Sequence, residues 1–171
     1  MRRAIPLFLF LLLGLVGVSI ARGQVAQSFT STEGHFKVLM PGPVQRDQKL
    51  HQSKDGTSST EYRFYVTQEH GHVAYLVMYS DLPSAPQAGK EEATLMNIRN
   101  AIAAGTTVLS ESHIDLHGTP GFDLKFRRSD GILIRVHEYL SGSRLYQLII
   151  SASEGYTAQY TDQFLESFSI F

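Results

Sequence analysis

The sequence predicts an α+β domain, a single antiparallel β-sheet with helices packed on its faces. Three observations carry that prediction. Six stretches between residues 61 and 152 are rich in aromatic and β-branched residues and are joined by short Gly, Ser, Asp and Pro links, the signature of hairpins and a meander. One segment, AGKEEATLMNIRNAIAAG, repeats Leu95, Ile98 and Ile102 at helical spacing. A second, near the end, repeats Tyr156, Tyr160, Phe164 and Phe168 every four residues.

In chain order, the first strand reads GHFKVLMPGPV: His35 and Lys37 alternate with Phe36 and Val38, and Pro41-Gly42-Pro43 stops it. Residues 45–59 are polar and read as loop or frayed edge. Residues 61–68 and 73–80 form a hairpin through a turn at 69–72, and AYLVMYS, apolar on both sides, belongs in the middle of a sheet covered on both faces. Asp81-Leu82-Pro83 ends that strand, and Ser84 with Gln87 resembles a capping box. A helix follows over 88–104, with Glu91 and Glu92 in its early turns, where the helix dipole favours acids, and Gly105 as its stop. The meander then runs VLSESHIDL, GFDLKFRR, ILIRVHEYL and RLYQLIISA, with a second helix at 156–166 before the tail SFSIF.

Register gives the stretch HGTPGFDLKF a meaning. Pairing Arg128 with Ile132 sets Phe126 opposite Ile134 and Leu124 opposite Val136. Pairing Glu138 with Tyr146 then brings Leu148 and Ile150 to the same face, so residues 117–126 read as a hairpin corner. The other face then carries Asp123, Lys125, Arg127, Arg135, His137 and Gln147, with Asp123, His137 and Gln147 in one cross-strand row. A carboxylate that orients a histidine suggests acid–base chemistry. That chemistry needs a nucleophile or an activated water, and no G-x-S-x-G elbow occurs; a polar face held by cross-strand pairs is the expectation.

Histidines one residue apart on a strand share a face and can hold a metal. His70 and His72 have that spacing, as do His113, Asp115 and His117, and each set needs a further ligand from elsewhere; the expectation is exposed polar residues. No phosphate-binding glycine loop, Walker pattern or dinucleotide fingerprint is present, so no cofactor is expected. Lys125, Arg127, Arg128 and Arg135 make a local basic patch that suits an acidic partner or an anionic surface; the expectation is a solvated hairpin tip.

The amino terminus, MRRAIPLFLFLLLGLVGVSIARGQ, has two arginines, an apolar run and small residues at Ala21 and Gly23, the layout of a secretory signal peptide cleaved after residue 23. An uncleaved membrane anchor is the competing reading. Cleavage leaves 24–171 as a single domain and removes Arg2, Arg3 and Arg22, moving the formal charge from −1 to −4. A mildly acidic chain of this kind is a poor nucleic-acid binder. With no cysteine there is no disulfide, thiol nucleophile or lipidation site, and ten Phe with eight Tyr must supply the core.

The order of "EGHFKVLMPGPV", a hairpin, a helix, a meander with "HGTPGFDLKF" and "SRLYQLII", and a terminal "FLESFSIF" resembles the PsbP-like fold family from about Phe29 to Phe171. That family includes the extrinsic oxygen-evolving protein of photosystem II, a nuclear Ran-binding factor and small bacterial cell-envelope proteins of the DcrB type. The resemblance implies an α/β/α sandwich and a mostly non-enzymatic role in binding or stabilising larger assemblies. The expectation is therefore a secreted or periplasmic accessory protein, not integral to the membrane, whose partner is another protein or an envelope component. The alternative is a metal-dependent or acid–base hydrolase that uses the strand histidines.

Overall fold

The computed structural model describes residues 26–52 and 58–171; the predicted signal segment, 1–23, lies outside them. Two antiparallel sheets make up the domain. The smaller has the order β1-β2-β10, from β1 (Gln27–Ser31), β2 (Phe36–Met40) and β10 (Ser169–Ile170). The larger has the order β3-β4-β5-β9-β8-β7-β6. It is built from β3 (Gln45–Gln52), β4 (Ser58–Gln68), β5 (Val73–Asp81), β6 (Thr107–Leu116), β7 (Thr119–Arg127), β8 (Leu133–Ser141) and β9 (Arg144–Ala152). A 3-10 turn (Glu69–Gly71) joins β4 to β5. Strands hold 55% of the described residues and helices 16%, which overturns the predicted helix-covered α/β/α sandwich. The large sheet is covered on one face chiefly by the second sheet and on the other by a single long helix.

The aromatic face is the larger core. Phe36, fully buried at the start of β2, has its ring within 6.4 Å of those of Phe64, Tyr79, Tyr146 and Phe168. Burying each such ring contributes about 1.5–3 kcal/mol, so this cluster is the main source of stability in a chain without disulfides. Two of the buried tyrosines hydrogen-bond the backbone: Tyr146 donates to the Gly34 carbonyl (2.8 Å), and Tyr75 accepts from the Tyr160 N–H (3.0 Å). The short helix α2 (Thr161–Glu166) adds Phe164 and Leu165 to this core.

The helix face carries α1 (Glu91–Ala103), whose Leu95 sits over Phe122, Leu124, Phe126, Val136, Leu140 and Leu145. This helix starts three residues later than the spacing predicts. Lys90 is its N-cap and has no side-chain cap, while Ser84 lies in a bend and Gln87 opens the turn before the helix, in which Lys90 N–H donates to Gln87 O (2.8 Å). The predicted second helix is shorter too, because Gly155 (φ +84°) and a turn from Tyr156 N–H to Ser153 O (3.1 Å) hold 153–156 as a loop. Tyr156 is accordingly 41% exposed and stacks on His72 at 4.1 Å instead of entering the core. Residues 45–52 form the outer strand β3, exposed throughout, where a loop or frayed edge is predicted.

The stretch HGTPG is a hairpin corner. His117 (φ 53°) and Gly118 (φ 91°) form the two-residue turn between Leu116 and Thr119, and both left-handed conformations match the mirror-image turns that suit twisted hairpins. Asp115 secures it by accepting the Gly118 N–H at 2.7 Å. Gly121 is required by close approach: a Cβ there would lie 2.1 Å from the Glu138 carbonyl oxygen.

The register of β7 on β8 is as predicted, with Leu124 opposite Val136 and Phe126 opposite Ile134. That of β8 on β9 is shifted by one residue, because Ser141 pairs with Arg144 across a two-residue turn at Gly142-Ser143 where a three-residue one is predicted. A slip of one reverses every side chain of a strand. Leu148 and Ile150 therefore lie on the aromatic face beside Val77 and Tyr75, and Gln147 and Ile149 move to the helix face.

Candidate functional site

Beyond the aromatic core, the same face of β7, β8 and β9 becomes a polar ledge. Cross-strand pairing lays it out in rows: Asp123 beside His137, then Lys125–Arg135–Ile150, then Arg127–Leu133–Ala152. Cations thus stand on the β7 side and apolar side chains on the β9 side.

In the first row Asp123 and Arg135 are paired, while the buried His137 Nε2 makes no hydrogen bond. Arg135 grips Asp123 through two hydrogen bonds, from Nε (3.1 Å) and Nη2 (2.9 Å), and lies 3.6 Å from Asp162. Burial pushes the Asp123 carboxyl up, but the Arg135 hydrogen bonds and the charges of His137 and Arg135 outweigh it, so the group is held below the usual carboxylate range. His137 has Nε2 3.5 Å from Asp123 and Nδ1 3.3 Å from the Tyr139 hydroxyl. Burial drives its pKa down despite Asp123, which favours the neutral ring, and burial pushes Tyr139 up to about 12. The carboxylate beside the histidine is thus engaged by an arginine, and the hydroxyl next to the ring is that of Tyr139, whose pKa burial raises.

Gln147, predicted in this row, is on the opposite face, paired with Glu138. Glu138 is the group that sequence reasoning missed. It is fully buried beneath α1 with neither carboxylate oxygen hydrogen-bonded, and burial pushes its carboxyl up to about 7, against the influence of Gln147 and Arg99. Its alternation with Val136 and Leu140 was the available signal, since residues two apart share a face. Arg99 of α1 pairs with Glu111 and keeps a buried Nε without a partner.

The histidines do not gather. His70 sits in the left-handed turn before β5 and His72 stacks on Tyr156. His113 packs against the Phe122 ring at 4.5 Å and lies 3.9 Å from Glu92, while Asp115 and His117 build the hairpin corner. Among the described residues no three metal-ligating side chains come together.

Lys125 and Arg127, both exposed, have no carboxylate within ion-pair distance among the described residues, and Arg128 is 2.8 Å from Asp130. Next to them opens a recess of about 280 Å³, lined by the polar Lys125 and Arg135 and by Leu133, Ile150, Tyr156 and Ala158. A second recess, about 240 Å³, continues past Tyr156 and is lined by Arg127, Leu133, Ala152 and Glu154. Asp123 and His137 line neither recess.

No family model matches the chain, and no curated protein matches it. Among solved structures it is similar to cyanobacterial PsbP (CyanoP) from Synechocystis sp. PCC 6803, with a TM-score of 0.56 and 14% identity over 91% of this chain and 96% of that one. A protein from Bacteroides thetaiotaomicron VPI-5482 matches with a TM-score of 0.48 and 10% identity, covering 86% of this chain and 49% of that one. At such identity the likeness speaks to architecture alone: the chain has a PsbP-like fold.

Proposed function

We propose that this chain is an exported, non-enzymatic accessory or binding protein of the cell envelope or extracellular space, akin to the small DcrB-type envelope proteins but without their lipidation cysteine. It acts by surface contact with another protein or envelope component. The observation that carries this reading is the pair of open recesses, the first lined by the unpaired Lys125, set beside Asp123 and Arg135, which are already engaged with one another. Exposed, unpaired charges of one sign speed and select association with an oppositely charged surface. An acid–base hydrolase would need Asp123 and His137 at the wall of the recess, and they are not there. Among the described residues no helix is long and apolar enough to cross a membrane, which is compatible with a protein released after processing.

The test is to express the full chain with a carboxy-terminal tag in a bacterial host, with a photo-crosslinking aromatic amino acid placed at position 156. The expected result is a processed protein outside the cytoplasm, starting near Gln24, that forms a discrete crosslink to an envelope or extracellular component. An unprocessed chain retained in the cytoplasm, or hydrolytic activity lost on His137→Ala, would overturn the proposal.

A further inference from the structure

We infer that the paired recesses bind an extended, acidic–apolar peptide segment of a partner protein, an inference that rests on the accessory-binding reading above. Size argues first. Each recess falls below the roughly 300–1,000 Å³ of sites that enclose a small molecule, and at about 280 and 240 Å³ each suits one or two side chains. The two share Leu133, Ala152 and Tyr156, so they follow one another along the sheet instead of forming one compact chamber. Consecutive pockets of side-chain size are what an extended peptide needs, since its alternate side chains point the same way about 6–7 Å apart.

Charge argues next. At the first recess the charged lining groups are Lys125 and Arg135; Arg135 is engaged from outside the recess by Asp123 and Asp162, and Lys125 is left over. At the second recess Arg127 stands with Glu154, so the cationic excess lies at the first. An acidic side chain therefore belongs against Lys125. Apolar side chains of the same segment lie on Leu133 and Ile150, with Tyr156 between the two recesses.

The experiment titrates the purified protein, followed by amide NMR, with three probes: a blocked heptapeptide alternating leucine and glutamate, the same peptide with lysine for glutamate, and hexanoate. The glutamate peptide is expected to bind saturably, to shift resonances of Lys125, Leu133, Ala152 and Tyr156, and to weaken as salt screens the exposed charges. The lysine peptide and hexanoate are expected to bind at least about tenfold more weakly, the scale of one charge pair lost. Lys125→Glu should reverse the peptide preference and Lys125→Gln should abolish it, with unchanged spectra elsewhere showing that both variants fold. Absence of peptide binding, equal binding of both peptides, binding indifferent to Lys125, or hexanoate binding as tightly as the peptide would each overturn the inference. A crosslink from position 156 that survives Lys125→Glu would remove this site while leaving the accessory-binding role standing.

Discussion

His137 and Glu138 are consecutive on β8, so they point to opposite faces of the large sheet, and the two faces treat charge differently. On the ledge beside the aromatic core, Asp123 is met by a bidentate arginine and by His137, with solvent close by. Under α1, Glu138 has lost solvent entirely and its oxygens have no hydrogen bond, since Arg99 is drawn towards Glu111 at the surface. One face stabilises its carboxylate and the other penalises it. Two paired strands that alternate between environments can thus hold two acids of opposite character within one short hairpin.

The comparison can be tested from its strongest element downward. Phe36→Ala, which empties the centre of the aromatic face, is expected to lower stability by about 3–5 kcal/mol in urea unfolding. A loss under about 1 kcal/mol would mean that this core repacks and is not the main support.

Glu138→Gln tests the penalised acid. Because the folded protein holds this proton up to about pH 7 while the unfolded chain releases it near 4.5, wild-type stability falls as pH rises between those values and levels off above. The glutamine variant escapes that loss. It should be more stable than wild type by about 3–4 kcal/mol at pH 8, where wild type must either keep the buried charge or bind a proton, and no more stable at pH 4. Parallel pH curves for the two proteins would refute the assignment.

Asp123→Asn tests the stabilised acid and should behave in the opposite sense. Its depressed pKa gives stability that is present above the ordinary carboxylate range and lost as pH falls through the folded value. Loss of the charged partner of Arg135 is expected to cost about 1–2 kcal/mol at pH 7, discounted because both groups are partly exposed, and the difference should fade in acid. Smallest of all, His113→Ala, with the imidazole 66% exposed, should shift stability by less than about 0.5 kcal/mol. A larger change would show that its contact with the Phe122 ring contributes more than its exposure suggests.

Much of the strand order was legible because hairpin links are local: the 69–72 turn, the His117-Gly118 corner and the β7–β8 register all follow from neighbouring residues. The site was legible in part. Asp123, Lys125, Arg127, Arg135 and His137 do share a face, but Gln147 left it because the length of one turn, Gly142-Ser143, moved β9 by a residue. Glu138 was legible as a neighbour of Val136 and Leu140 on one face of β8, but its burial depends on α1 covering that face. The second sheet escaped notice because β10 is two residues long and pairs with β2, more than a hundred residues away.

The sequence by itself determined the alternation of apolar and polar residues along the strands, the short turns that make neighbours antiparallel, and the absence of any cysteine to staple the domain. Those are properties of residues close in the chain. Tertiary structure decided what covers each face, how far each helix extends, and which charges meet a partner. Each depends on groups brought together from distant positions: Arg135 finds Asp162 only after α2 has docked, and Glu138 loses water only once α1 closes over β8.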